Sequence, residues 1–263
     1  MTDPSASDKA ERVLIVNGDD FGRTPGINSG VIRAHEHGIL TSASLMVRWP
    51  AAAEAARYGR DRPAFDLGVH LDFGEWVFRE GAWHEVYSVV DSEDVDAVRA
   101  EVHAQLEAFR CLVGRNPTHL DSHQHVHLRE PVRTVALEQS QRLQVPARGC
   151  GPDIRHCGDF YGQTGTGEPW PANITVEAFV RIVQGLPPGV TELGCHPGEN
   201  GDFDSVYRVE RMSELQVLCD PAVRRALTAA DVRLAAFSSV AAARPDPHAM
   251  VQQPASQSER EEC

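Results

Sequence analysis

The chain has 263 residues, 41% of them hydrophobic and 24% charged, and a formal net charge of −13. That length can bury a large core and is normal for one α/β barrel. The negative balance argues against a nucleic-acid partner and against an anionic membrane surface, and no apolar run approaches the roughly 18 residues of a spanning helix.

Residues 1–10 are small and polar and are expected to be disordered. They lack the basic and apolar regions of a signal peptide, so a cytoplasmic location is expected. The apolar run at 13–16 predicts a buried parallel strand. It leads into Asn17-Gly18-Asp19-Asp20-Phe21-Gly22, read as a polar turn. Ile27, Val31, Ile32 and Ala34 predict a helix closed by Gly38. Residues 42–47 and 66–71 predict strands, the second ending at His70 and Asp72, with an alanine-rich helix over 51–58 between them. Residues 75–90 read as an irregular excursion. Val95, Val98, Val102, Leu106, Phe109, Leu112 and Val113 predict a long helix stopped by Gly114.

Thr118 to Leu128 reads Thr-His-Leu-Asp-Ser-His-Gln-His-Val-His-Leu and is taken as a strand. Helices are expected over 131–143, 175–186, 213–218 and 221–230. Strands are expected at 191–195, leading into a turn that presents His196, and at 232–237. Residues 146–175 read as a long functional loop. The chain after about 244 is expected to be a disordered tail, leaving 11–243 as one domain. The six cysteines have irregular spacings and no Cys-x-x-Cys, so free thiols are expected.

Strands alternating with helices imply a parallel sheet whose functional groups gather at the strands' C-terminal ends. The polar residues that stand out fall at those ends: Asp19 and Asp20, His70, the histidine tract, and His196. In the tract, a strand would align His119, Asp121, His123, His125 and His127 on one face, whereas a helix would pair His123 with His127. Either path brings at least two imidazoles together. Neighbouring Asp19 and Asp20 can divide the roles of ligand and base. One carboxylate and two imidazoles suit Zn²⁺, Mn²⁺, Fe²⁺ or Ni²⁺. A metal, a base and a distal imidazole acid are what amide or ester hydrolysis requires.

Taken in order, several motifs resemble the YdjC-like carbohydrate deacetylases. They are Asn17-Gly18-Asp19-Asp20-Phe21-Gly22 with Gly26-Ile27-Asn28, residues 38–46, and Leu67-Gly68-Val69-His70-Leu71. Residues 117–127, Glu192-Leu193-Gly194-Cys195-His196-Pro197-Gly198, and Tyr207, Arg211, Glu214 and Leu215 complete the set. The family's usual Asn-Ala-Asp-Asp is Asn17-Gly18-Asp19-Asp20 here, with both carboxylates kept. The resemblance implies an irregular (β/α) barrel and one divalent metal: Mg²⁺ or Zn²⁺ first, then Mn²⁺, Co²⁺ or Ni²⁺. It implies removal of an N-acetyl group from an amino sugar such as a chitooligosaccharide, and a homodimer. By motif, Asp20, His70 and His123 would hold the metal, Asp19 would activate the water, and His196 would protonate the leaving amine. His125, His127 and Asp121 would support or orient these groups.

Overall fold

Strand and helix alternate along almost the whole chain, and the strands gather into one curled parallel sheet. The computed structural model describes residues 11–199 and 207–242. The two tails expected from the sequence lie outside the described residues. The centre of the sheet is β1 (Arg12–Phe21), buried along all of its length after Arg12. Around it lie β2 (Ser42–Leu45), β3 (Asp66–Leu71), β6 (Leu120–Ser122), β7 (Ile154–Cys157), β8 (Gly189–Cys195) and β9 (Val232–Leu234). The order is β6-β3-β2-β1-β8-β7, with β9 also on β1, and the pairings are parallel. Leu120 bridges in parallel to Ala147, which extends the curl one step past β6. The irregular barrel expected from the sequence is this curled, incomplete one.

Helices cover the outside: α1 (Pro25–His37), α2 (Ala52–Asp61), α3 (Val95–Val113), α4 (Val132–Leu143), α5 (Val176–Gly185), α6 (Arg208–Leu218), α7 (Pro221–Ala229) and α8 (Phe237–Ala242). Their starts follow local chemistry. Thr24 caps α1 by accepting from the Ile27 amide, with Pro25 in the first turn. Asp94 and Thr175 cap α3 and α5 in the same way. Helix α3 ends at Gly114 with φ 78°, a left-handed cap that favours glycine, and buries Val98, Val102, Leu106, Phe109 and Val113. Gln105 joins that face to the sheet: its amide donates to Asp72 O at 2.7 Å and its Oε1 accepts from Asp72 N at 2.9 Å.

Several expectations change; the strand expected at 232–237 ends at Leu234, with α8 starting at Phe237, and the helix expected at 213–218 already begins at Arg208. The segment 17–21 is strand rather than turn; the chain stays in the sheet until Asp20, whose φ of 62° bends it. The excursion at 75–90 is an antiparallel hairpin, β4 (Gly74–Arg79) and β5 (Ala82–Ser88), turned at Glu80 and Gly81, both with positive φ. The loop at 146–175 contains β7. The histidine strand stops at Ser122, where a 3₁₀ segment begins (His123–Leu128). Within that segment Gln124 and His125 take successive left-handed conformations, φ 51° and 55°. The five described cysteines are unpaired, as expected, and no described helix is long and apolar enough to cross a membrane.

Candidate metal centre and active site

Side chains from five strand ends converge in a cavity of about 680 Å³. The bend at Asp20 turns consecutive aspartates into different surroundings. Asp20 Oδ1 faces His70 Nε2 at 3.3 Å, from the end of β3, and His123 Nδ1 at 3.1 Å, just past β6. Asp20 Oδ2 is paired with Arg211 of α6. Asp20, His70 and His123 are close enough together to hold one metal ion. The three expected ligands are therefore brought together, and all are buried.

The donor set fits a divalent cation. Burial opposes charge on His70, but Asp121, Asp20 and Asp19 outweigh it and push its pKa up to about 10. Burial acts the same way on His123, and Asp20 and Glu75 raise it. Two imidazoles held toward the charged state around one carboxylate oxygen mark a place where positive charge is wanted, and a metal can replace those protons. His70 is oriented from behind: its Nδ1 donates to Asp121 Oδ1 at 2.8 Å, leaving Nε2 for the site. Asp19, His70 and Asp121 form a second compact group. It is already satisfied internally, because Arg148 binds both of its carboxylates.

The carboxylate of Asp19 is held by Arg148. The Arg148 guanidinium makes two bonds to it, NH1 to Oδ2 at 2.6 Å and NH2 to Oδ1 at 2.7 Å, and Asn17 Nδ2 donates to Oδ1 at 2.9 Å. Burial would raise the Asp19 pKa, but Arg148 dominates and holds it well below the usual carboxylate range. Arg148 also meets Asp121 Oδ2 at 2.7 Å and Glu192 Oε1 at 2.6 Å. One cation faces three buried carboxylates, and the surplus falls on Glu192, which burial pushes up to about 7.

His196 follows β8. Its Nε2 lies 3.8 Å from Asp19 Oδ2, so the two expected catalytic groups stand side by side. Its backbone amide donates to Glu214 Oε2 at 2.5 Å, and Tyr207 donates to the other Glu214 oxygen. Burial depresses the His196 pKa to about 4 and lifts that of Glu214 to about 8. The Tyr161 and Tyr207 rings stack at 4.4 Å and flank His196.

The remaining histidines divide clearly. His127 is spent on Ser122 Oγ (2.7 Å) and Arg148 O (3.0 Å), so it holds the loop that carries Arg148. His119 meets Ser44 and Thr118 and stacks on Phe237 at 3.8 Å. His125 lines the cavity beside His156 of β7, ring centroids 5.2 Å apart. The sequence reading gave no role to Arg148, Glu75 or His156, each a lone residue in a stretch taken as loop. Arg211 and Glu214 stood in a quoted motif without a role.

A family model described as YdjC-like protein matches residues 13–229. This chain belongs to the YdjC-like family. It is 31% identical over 247 residues to the carbohydrate deacetylase of Geobacillus stearothermophilus, covering 86% of this chain and 97% of that one. It is 30% identical over 260 residues to the chitooligosaccharide deacetylase of Salmonella paratyphi B, covering 88% and 100%. Among solved structures, a candidate cellobiose-phosphate cleavage protein of Enterococcus faecalis V583 matches with a TM-score of 0.70 at 24% identity, over 88% and 99% of the two chains.

Proposed function

We propose that this YdjC-like chain is a metal-dependent hydrolase that removes N-acetyl groups from amino sugars or their oligomers. The observation that carries the reading is the convergence of Asp20, His70 and His123 beside Asp19 and His196 at one cavity. The names of the two deacetylase relatives support the substrate class.

Asp20, His70 and His123 would hold the ion. When bound there, a divalent cation supplies Lewis acidity, polarising the acetyl carbonyl and making water a better nucleophile. Asp19, kept ionised by Arg148, accepts the proton of the attacking water. The attack adds the water oxygen to the acetyl carbon, and the C–N bond then breaks. His196, whose Nε2 lies 3.8 Å from Asp19, takes that proton on and passes it to the leaving amine, so acetate and a free amino sugar depart. Arg148 and Asn17 fix the carboxylate of Asp19, Asp121 orients His70, and Glu214 holds the backbone of His196. The native ion among Mg²⁺, Zn²⁺, Mn²⁺, Co²⁺ and Ni²⁺ belongs to this reading, as do a homodimer and a cytoplasmic location.

The test is acetate release from N-acetylglucosamine oligomers by metal-stripped protein, before and after each ion is restored. Release should require the ion. Asp19→Asn should lose at least about a thousandfold in kcat while metal affinity, read by calorimetry, stays within a few fold. An active Asp19→Asn enzyme removes Asp19 from the role of base.

A further inference from the structure

The β4–β5 hairpin is built into the site by its base and left free at its tip. At the base, Tyr87 donates to Asp72 Oδ1 at 2.9 Å, and Trp49 donates to the other Asp72 oxygen at 3.0 Å. Glu75 is paired with Arg23, and its Oε2 lies 3.7 Å from His123 Nε2. Gln124, next to His123, closes a two-way clasp on the hairpin: Trp76 N donates to its Oε1 at 2.9 Å and its Nε2 donates to Trp76 O at 2.7 Å. The hairpin is thus indexed to the turn that carries His123. The left-handed backbone at Gln124 is part of that junction.

Beyond the clasp, the same hairpin lines the cavity with aromatic rings. Phe78 and Trp83 are register partners across the two strands, so their side chains share a face. Their rings meet edge to face at 5.5 Å, yet Trp83 remains 59% exposed. Leaving that much indole in water is unfavourable unless something covers it. Both rings border the cavity, whose lining also includes Ser92, Glu93, Arg129 and Glu130. An apolar plate with a fringe of hydroxyl, carboxylate and guanidinium groups matches a pyranose, which presents C–H faces to a ring and hydroxyls to its edge. At about 680 Å³ the cavity is sized for a ligand larger than a single sugar.

We infer that Phe78 and Trp83 form a stacking wall for a second sugar ring, one that neighbours the acetylated residue at Asp20, His70 and His123. Chain-length preference then resides in the β4–β5 hairpin. This rests on the deacetylase reading for the position of the acetylated residue and on the hairpin alone for the wall.

Two readouts separate the two ideas. Calorimetry with N-acetylglucosamine oligomers of one to four units reads the wall without turnover, and acetate release reads the reaction. The wild-type protein should bind the two- to four-unit oligomers at least about tenfold more tightly than the single sugar. Trp83→Ala and Phe78→Ala should each remove most of that difference and raise KM for the oligomers about tenfold, with a much smaller change in kcat. Trp83→Tyr should restore it, since a ring rather than an indole is required. Trp170→Ala, at a half-exposed tryptophan that does not line the cavity, should behave as wild type. Equal affinity for all lengths, or Trp83→Ala binding like wild type, overturns the wall even if acetate is released. Length-dependent binding lost in Trp83→Ala, with no acetate release, keeps the wall and overturns the deacetylase reading. No binding of any oligomer overturns both.

Discussion

The side chains around Asp19 have to settle an electrostatic conflict inside a dry site. Arg148 faces Asp19, Asp121 and Glu192 at 2.6 to 2.7 Å with almost no access to solvent. Removing a buried cation leaves its anions uncompensated, which costs more than the pair contributes. Arg148→Ala should therefore lower unfolding stability by about 3–5 kcal/mol, read by denaturant titration. In whatever folded protein remains, the Asp19 pKa should rise, because the main opponent of burial is gone. Arg148→Lys should recover only part of the loss, since an ammonium cannot make the two-pronged contact with Asp19. A variant as stable as wild type would mean that the three carboxylates find other partners.

At the scale of elements, the site depends on how closely α1 approaches the segment after β8. A Cβ on Gly30 would lie 2.4 Å from Gly198 Cα, backbone against helix with nothing flexible to yield. Gly30→Ala should push residues 196–199 away from β1, carrying His196 off Asp19. The expected result is a fall in kcat of tenfold or more with metal affinity nearly unchanged, because Asp20, His70 and His123 sit on other elements. Full kcat in Gly30→Ala would show that the helix absorbs the shift. Gly68 has a comparable constraint, since its Cβ would collide with the His119 ring at 2.4 to 2.5 Å. That contact explains why a histidine of the tract serves packing rather than the metal.

For the molecule as a whole, on the proposed reading, proton and metal occupancy of one cluster are tied to folding. The folded pKa of His70 is raised to about 10 from an ordinary 6.5. A raised pKa contributes stability that is complete below the unfolded value and is lost as pH rises through the folded one. Metal-free protein should thus lose Tm progressively between about pH 6.5 and 10. Bound metal replaces the protons, so its affinity should increase with pH over the same window, and binding near neutrality should release protons. The metal-induced rise in Tm should therefore grow with pH, reaching about 2.7 kcal/mol of total stabilisation where the ion stands at a hundred times its Kd. Scanning calorimetry with and without Zn²⁺ or Mg²⁺ checks this. Asp20→Asn should abolish the metal-dependent part.

The sequence by itself determined the βα rhythm, because buried parallel strands and amphipathic helices write their periods directly into the order of residues. It also placed Asp19, Asp20, His70, the histidine tract and His196 at one mouth, since polar residues at successive strand ends must face the same way. The choice among the tract's histidines came from family resemblance. In the structure His123 meets Asp20 at the start of a backbone path with two left-handed residues, 124 and 125, that no local propensity announces. Arg148 and Glu75 were invisible for another reason. Each lies in a stretch without periodicity, and its ionic partners are 27 or more residues away in the chain. Asp20 bends the chain within a strand, which separates two identical carboxylates: Asp20 meets His70, His123 and Arg211, and Asp19 meets Arg148. Only the tertiary structure could assign those partners, because charge pairing in a buried site is set by distance in space and not by spacing along the chain.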